Sequence, residues 1–177
     1  MSTQLNPEQF DEYQIMKPGL YLGMLLNVVA PAGYFFLIYY LNNQGGMTAS
    51  ISGDTANILF YAFIAVSLGL IAASYLVREK LFKQPSLTTS VGGTEVLTNR
   101  FKVICIISGA IIEAIAVLGV VYFFMTARFQ EGAILILIAA GAYQLIRPRP
   151  GAVVRFIELQ VEMFNKGQCP PTVSDPQ

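Results

Sequence analysis

Apolar residues run almost unbroken over four stretches of the chain. They cover Leu20 to Leu41, about Ile58 to Val77, Val103 to Met125 and about Phe129 to Ile146. Each is close to the ~20 residues that an α-helix needs to cross the hydrocarbon core of a bilayer. Backbone in lipid must satisfy its own hydrogen bonds, so these stretches read as helices. The fourth is stopped by the Arg147-Pro148-Arg149-Pro150 run, and Pro31 predicts a kink in the first. The expected fold is an all-α integral membrane protein forming a single membrane domain over residues 1–177, with four transmembrane helices.

Two flanking segments carry a different pattern. Asn6-Pro7-Glu8-Gln9 is a helix start, with Asn as N-cap and Pro at the first position. A short interfacial helix from there to about Lys17, within a cytoplasmic segment 1–18, would set Phe10 and Tyr13 on the membrane surface. Residues 152–166 are amphipathic at period 3.6. Arg155, Glu158, Glu162, Asn165 and Lys166 share one face, and Val153, Phe156, Ile157, Val161, Met163 and Phe164 the other. This segment reads as a helix lying on the inner leaflet or docking a partner. Ser86 to Thr98, with Gly92-Gly93, reads as a polar loop, and residues 167–177 as a disordered tail.

Composition and charge narrow the function. The chain has 177 residues, 54% of them hydrophobic and only 12% charged, where a soluble domain averages about 25% charged. There is no His and no Trp, so His-based acid–base chemistry and His–metal sites are excluded. Cys105 and Cys169 stand far apart with no metal spacing. No metal site, cofactor or enzymatic nucleophile–base pair is expected. Eleven basic residues balance eleven acidic ones, which leaves no basic patch for nucleic acid. Glu8, Asp11 and Glu12 precede Lys17, unlike a cleaved signal, so the first span is expected to be retained.

Basic residues also orient the spans. With both termini and the loop from Arg78 to Lys102 in the cytoplasm, only Arg128 of the eleven lies on the far side. Tyr39, Tyr40, Phe60, Tyr61, Tyr122, Phe123, Phe124 and Phe129 then gather at the outer interface as an aromatic belt. The expected location is a bacterial inner membrane, and the expected partners are the lipid bilayer and other membrane subunits or further copies of the chain.

Glu113 is the only ionisable residue well inside a span. A charge at the bilayer centre costs roughly 3 kcal/mol or more, so the default state is a protonated acid facing other helices. Two readings stay open: a proton-binding carboxyl group, or a neutral Glu that hydrogen-bonds across a helix pair. Ser67, at a similar depth in the second span, is the candidate hydroxyl partner, although it can equally bond its own helix. Asn27 in the first span is a weaker candidate for the same role. Ala65, Gly69 and Ala73 form a small-residue stripe on the second span, which Gly109, Ala110 and Ala114 of the third are expected to meet. Ala139-Ala140-Gly141-Ala142 is a further close-packing patch, and Cys105 reads as a buried apolar side chain.

Residues from about Thr55 to Thr126 carry a small-residue helix, a basic polar loop with Gln84-Pro85, and a helix reading Gly109-Ala110-Ile111-Ile112-Glu113-Ala114 and continuing to Gly119. This arrangement resembles the hairpin of the rotary ATP synthase ring subunit, subunit c or proteolipid. The resemblance implies a cytoplasmic loop and an ion-binding role for Glu113. Sodium-binding members tend to place Ser or Thr where this chain has Ala114, so the resemblance implies protons rather than sodium. The first and fourth helices lie outside it. Together these readings point to a non-enzymatic membrane subunit that handles protons at Glu113 in an energy-coupling complex, or to an accessory subunit in which the hairpin only packs.

The orientation has a direct test. Reporter fusions at Gly92 and Gln177 are expected on the cytoplasmic side and a fusion at Gly45 on the other. A Gly92 fusion reporting from the far side contradicts the assignment.

Overall fold

The computed structural model describes residues 5–45, 48–87 and 92–168. The expected tail from Cys169 to Gln177, and Thr88 to Val91 of the expected loop, lie outside the described residues. Every regular element among the described residues is helical: a 3₁₀ turn Pro7–Gln9, α1 Glu12–Met24, a π-helical segment Leu25–Val29, α2 Ala30–Gln44, α3 Gly53–Phe82, α4 Gly93–Thr126, α5 Phe129–Ile146 and α6 Pro150–Asn165. Four helices are long and apolar enough to cross a membrane: Glu12–Gln44, Gly53–Phe82, Gly93–Thr126 and Phe129–Ile146. Large apolar side chains stand far out on their surfaces, among them Ile58 at 69% exposure, Leu68 at 62% and Leu145 at 70%. Such faces suit lipid and oppose water.

The chain folds as two compact units. The first combines the N-terminal segment to Leu22, Val77–Ile106 and the chain from Pro148. Its core contains Leu5, Phe10, Ile15, Phe82, Leu87, Leu97, Phe101, Phe156, Ile157 and Val161. Phe82, Phe101 and Phe156 form a triangle with ring centroids 5.2–6.0 Å apart. The buried Gln160 ties α6 to the end of α3 and the chain beyond it: its amide nitrogen, Nε2, donates to the carbonyls of Phe82 (2.9 Å) and Gln84 (3.0 Å), and its Oε1 accepts from the amide and hydroxyl of Ser86. Arg155 reaches Glu79 with two bonds of 3.1 and 2.9 Å.

This packing changes three expectations. The apolar face of α6 was expected on lipid or on a partner; Val153, Phe156, Ile157 and Val161 are buried in the unit's own core instead. The N-terminal helix does not run unbroken from Pro7. Asn6 caps a single 3₁₀ turn, Pro7–Gln9, and Phe10 is extended. Asp11 then accepts from the amides of Tyr13 and Gln14 and starts α1, which continues into the first span. Two cap-forming side chains five residues apart divide the segment, and the break turns Phe10 into the core at 8% exposure while Tyr13 stays out. The polar loop is also shorter than expected, because α4 already starts at Gly93.

The second unit comprises Gly23–Leu76 and Ile107–Arg147. Ile38, Ile112, Ile115, Ala116, Phe123, Ala133, Ile136, Ala139 and Tyr143 fill its core. α3 and α4 run antiparallel: the Tyr122 hydroxyl donates to the Ala56 carbonyl at 3.2 Å, and the Ser74 hydroxyl to the Ser108 carbonyl at 3.1 Å. Aromatic side chains gather around Phe129 and Tyr122. At Pro31 the helix widens into the π-helical segment. Proline has no N–H to return to the Asn27 carbonyl, and the Ala30 N–H reaches back five residues to the Leu25 carbonyl. An extra residue is thereby held in the turn that carries Asn27.

α4 and α5 cross at Gly119 and Gly132. A Cβ on Gly119 would lie 2.7 Å from the Gly132 carbonyl oxygen and 2.9 Å from Ile136. Gly119→Ala is therefore expected to destabilise by about 1–3 kcal/mol through overpacking. Gly141, whose surroundings are open, is expected to accept Ala within about 0.5 kcal/mol. Thermal unfolding of the detergent-solubilised variants checks the pair, and equal midpoints contradict the crossing.

Candidate functional site: a buried carboxyl group in the second unit

Glu113 lies on α4 between Ile112 and Ala114, one turn after Gly109. It is 9% exposed, and neither carboxyl oxygen completes a hydrogen bond. In an apolar surrounding, an acid in this position carries an uncompensated desolvation cost. The polar side chain coupled to it is Tyr34 of α2, whose hydroxyl lies beside the carboxyl group at a geometry short of a full hydrogen bond.

The first span supplies the rest of the surroundings. Asn27, 1% exposed in the π-helical segment, packs on Gly109: a Cβ there would stand 2.8 Å from Asn27 Nδ2. Nδ2 donates to the Gly23 carbonyl at 3.2 Å, and Oδ1 is buried with no partner. A Cβ on Gly23 would in turn meet the Tyr143 hydroxyl of α5 at 2.5 Å. Gly23 and Gly109 thus admit polar groups that any larger residue would displace. Asn27 beside Gly109 and Tyr34 beside Glu113 align the first span with α4 in parallel, both running the same way along this stretch.

The sequence-derived partners fare differently. Ser67 is buried, but its hydroxyl donates to its own helix at the Phe63 carbonyl, 2.7 Å away. Its single proton is therefore committed within α3, and it makes no hydrogen bond to Glu113. The expected stripe-on-stripe packing is not formed either. Ala65 and Gly69 are exposed, Ala73 is half-buried and Gly69 has open space around it. α3 turns Ser67 and Ser74 inward instead, which leaves the small residues outside. On α4, Gly109 is buried against the first span, Ala110 is exposed and Ala114 is half-buried. Of the patch in α5, Ala139 and Ala142 are buried and Gly141 is exposed.

Sequence reasoning missed Tyr34, and it ranked Asn27 below Ser67. The available signal was their spacing: two polar handles seven residues apart in one apolar span, which on a regular helix share a face. Among the described residues no cluster of His, Cys, Asp or Glu could hold a metal ion. Compared with known proteins, the chain matches no family model, no curated protein and no solved structure.

Carbodiimide labelling of Glu113 separates the two hydroxyls, since it reads a protonated and reachable carboxyl group. Tyr34→Phe is expected to change the labelling rate and Ser67→Ala to leave it at the parental value. The reverse pattern contradicts the assignment.

Proposed function

We propose that this chain is a multi-pass membrane protein, without catalytic chemistry of its own, in which Glu113 takes up and releases a proton within a larger energy-coupling assembly. The observation that carries the reading is the state of the carboxyl group. It is buried among apolar helices, and both of its oxygens lack a completed hydrogen bond. A Glu kept only as packing glue is retained for the bond that it makes across helices; a carrier must instead remain able to lose its proton. An intramembrane acid of this kind is a functional candidate by default.

The resemblance of residues 55–126 to the subunit c hairpin supports the same role and favours protons over sodium. The position of Glu113 adds a qualification to a ring: Tyr34 beside it, and Asn27 packed on Gly109, belong to a helix outside that hairpin. The proposed arrangement is therefore a proton site built within one chain, serving partner subunits, with both termini on the cytoplasmic face of a bacterial inner membrane. The second reading, an accessory subunit with a neutral Glu113, is favoured by the proximity of Tyr34, a ready hydrogen-bond partner for a protonated acid.

Glu113→Gln distinguishes the two. Gln keeps the shape and the polarity of a neutral acid but cannot exchange a proton. Membranes carrying the variant are expected to assemble the protein normally and to lose proton-gradient-linked activity. Parental activity in Glu113→Gln overturns the carrier reading and leaves Glu113 as packing glue. Native mass spectrometry of the solubilised complex adds the copy number: one copy among different chains is expected, and many identical copies would return the ring.

A further inference from the structure

Asn27 of the first span enters a notch in α4 at Gly109, and Glu113 stands one turn further along the same helix. The notch exists because position 109 is glycine. Side chains on an α-helix lean toward its N-terminus and cover the preceding turn, so Glu113 leans over Gly109. Asn27 enters the same place from the first span, close enough that a Cβ on Gly109 would stand 2.8 Å from Nδ2. The amide orientation is set by its other contact. Nδ2 donates to the Gly23 carbonyl at 3.2 Å, since an oxygen facing that carbonyl would be repelled, and Oδ1 is left as a buried acceptor without a donor.

The two orphans are chemically complementary. An amide oxygen only accepts; a protonated carboxylic acid has one O–H to donate. We propose that Asn27 is the positioning residue of the proton site, with Oδ1 accepting the proton-bearing hydroxyl of Glu113 across the Gly109 notch, by rotation of the carboxyl group or through one water molecule. The inference rests on the reading of Glu113 as a proton-binding group and adds its partner.

The arrangement distinguishes the two protonation states. With the proton present, Oδ1 stabilises the acid. With the proton gone, Oδ1 and a carboxylate are two acceptors facing one another, and Asn27 must turn to present Nδ2. That turn breaks the bond to the Gly23 carbonyl. It takes place in the π-helical segment before Pro31, where the backbone already departs from the regular ladder. Gaining or losing a proton at Glu113 is thereby converted into a change in the first span.

Infrared spectroscopy of the whole protein in lipid tests the proposal. The carbonyl stretch of a protonated carboxylic acid falls when the acid is hydrogen-bonded and rises when the bond is lost. The Glu113 band is identified by its disappearance in Glu113→Gln. It is expected to move to higher wavenumber in Asn27→Leu. It should move the same way in Gly109→Ala, which keeps every polar group but places a methyl 2.8 Å from Nδ2 and so pushes the Asn27 amide away. Gly141→Ala, in open surroundings, is expected to leave it in place. An unmoved band in Asn27→Leu overturns the proposal; if that variant yields no folded protein, an unmoved band in Gly109→Ala overturns it equally. Absence of any Glu113 band in the parent is a separate result. It means that the acid is ionised, and it contradicts the reading of Glu113 on which the inference rests.

Discussion

Among apolar helices, a polar side chain has only its own chain to turn to, and the second unit is organised by that constraint. Ser67, Ser74, Tyr122 and Asn27 each send a donor to a backbone carbonyl. Such bonds are neutral, short-range and compatible with a bundle of otherwise apolar faces. Glu113 departs from the pattern: both of its oxygens are buried and neither completes a hydrogen bond, with the Tyr34 hydroxyl beside them. Glycines at 23 and 109 let Tyr143 and Asn27 approach the backbone of the neighbouring helices.

The first unit obeys a different rule. Its polar side chains work as fasteners around an aromatic core, with Gln160 binding Phe82 at the end of α3 and Gln84 and Ser86 beyond it, and Asn165 holding the backbone of Leu5 from both sides. The amphipathic pattern of α6 therefore has its explanation inside the protein. Val153, Phe156, Ile157 and Val161 cover Phe82 and Phe101 rather than lipid. An apolar stripe on a helix says that something covers it, and the sequence pattern alone cannot separate a bilayer from a neighbouring helix.

The helices were legible because an apolar run of bilayer length leaves little choice of backbone, and helices cover all four runs. Which face each helix turns inward was less legible. The small residues of α3 suggested close approach to α4, yet Ala65 and Gly69 face outward. The better guide was Ser67 and Ser74, seven residues apart, both buried. Glu113 stood out from the sequence as the one ionisable group in a span, but its surroundings did not. Asn27 and Tyr34 are distant in sequence, and their meeting with Gly109 and Glu113 depends on tertiary packing through a π-helical turn that follows from Pro31.

The proposed carrier role requires that the buried acid at position 113 exchange its proton with water. Transfer of the folded protein in lipid from ordinary water to deuterium oxide reads this at the carboxyl group itself, because deuteration lowers the frequency of its carbonyl stretch. The Glu113 band is expected to shift to the deuterated position while the amide protons of the surrounding helices remain unexchanged. A carboxyl band that stays at the protonated position for as long as those amides do would contradict it, and would make Glu113 a sealed packing group.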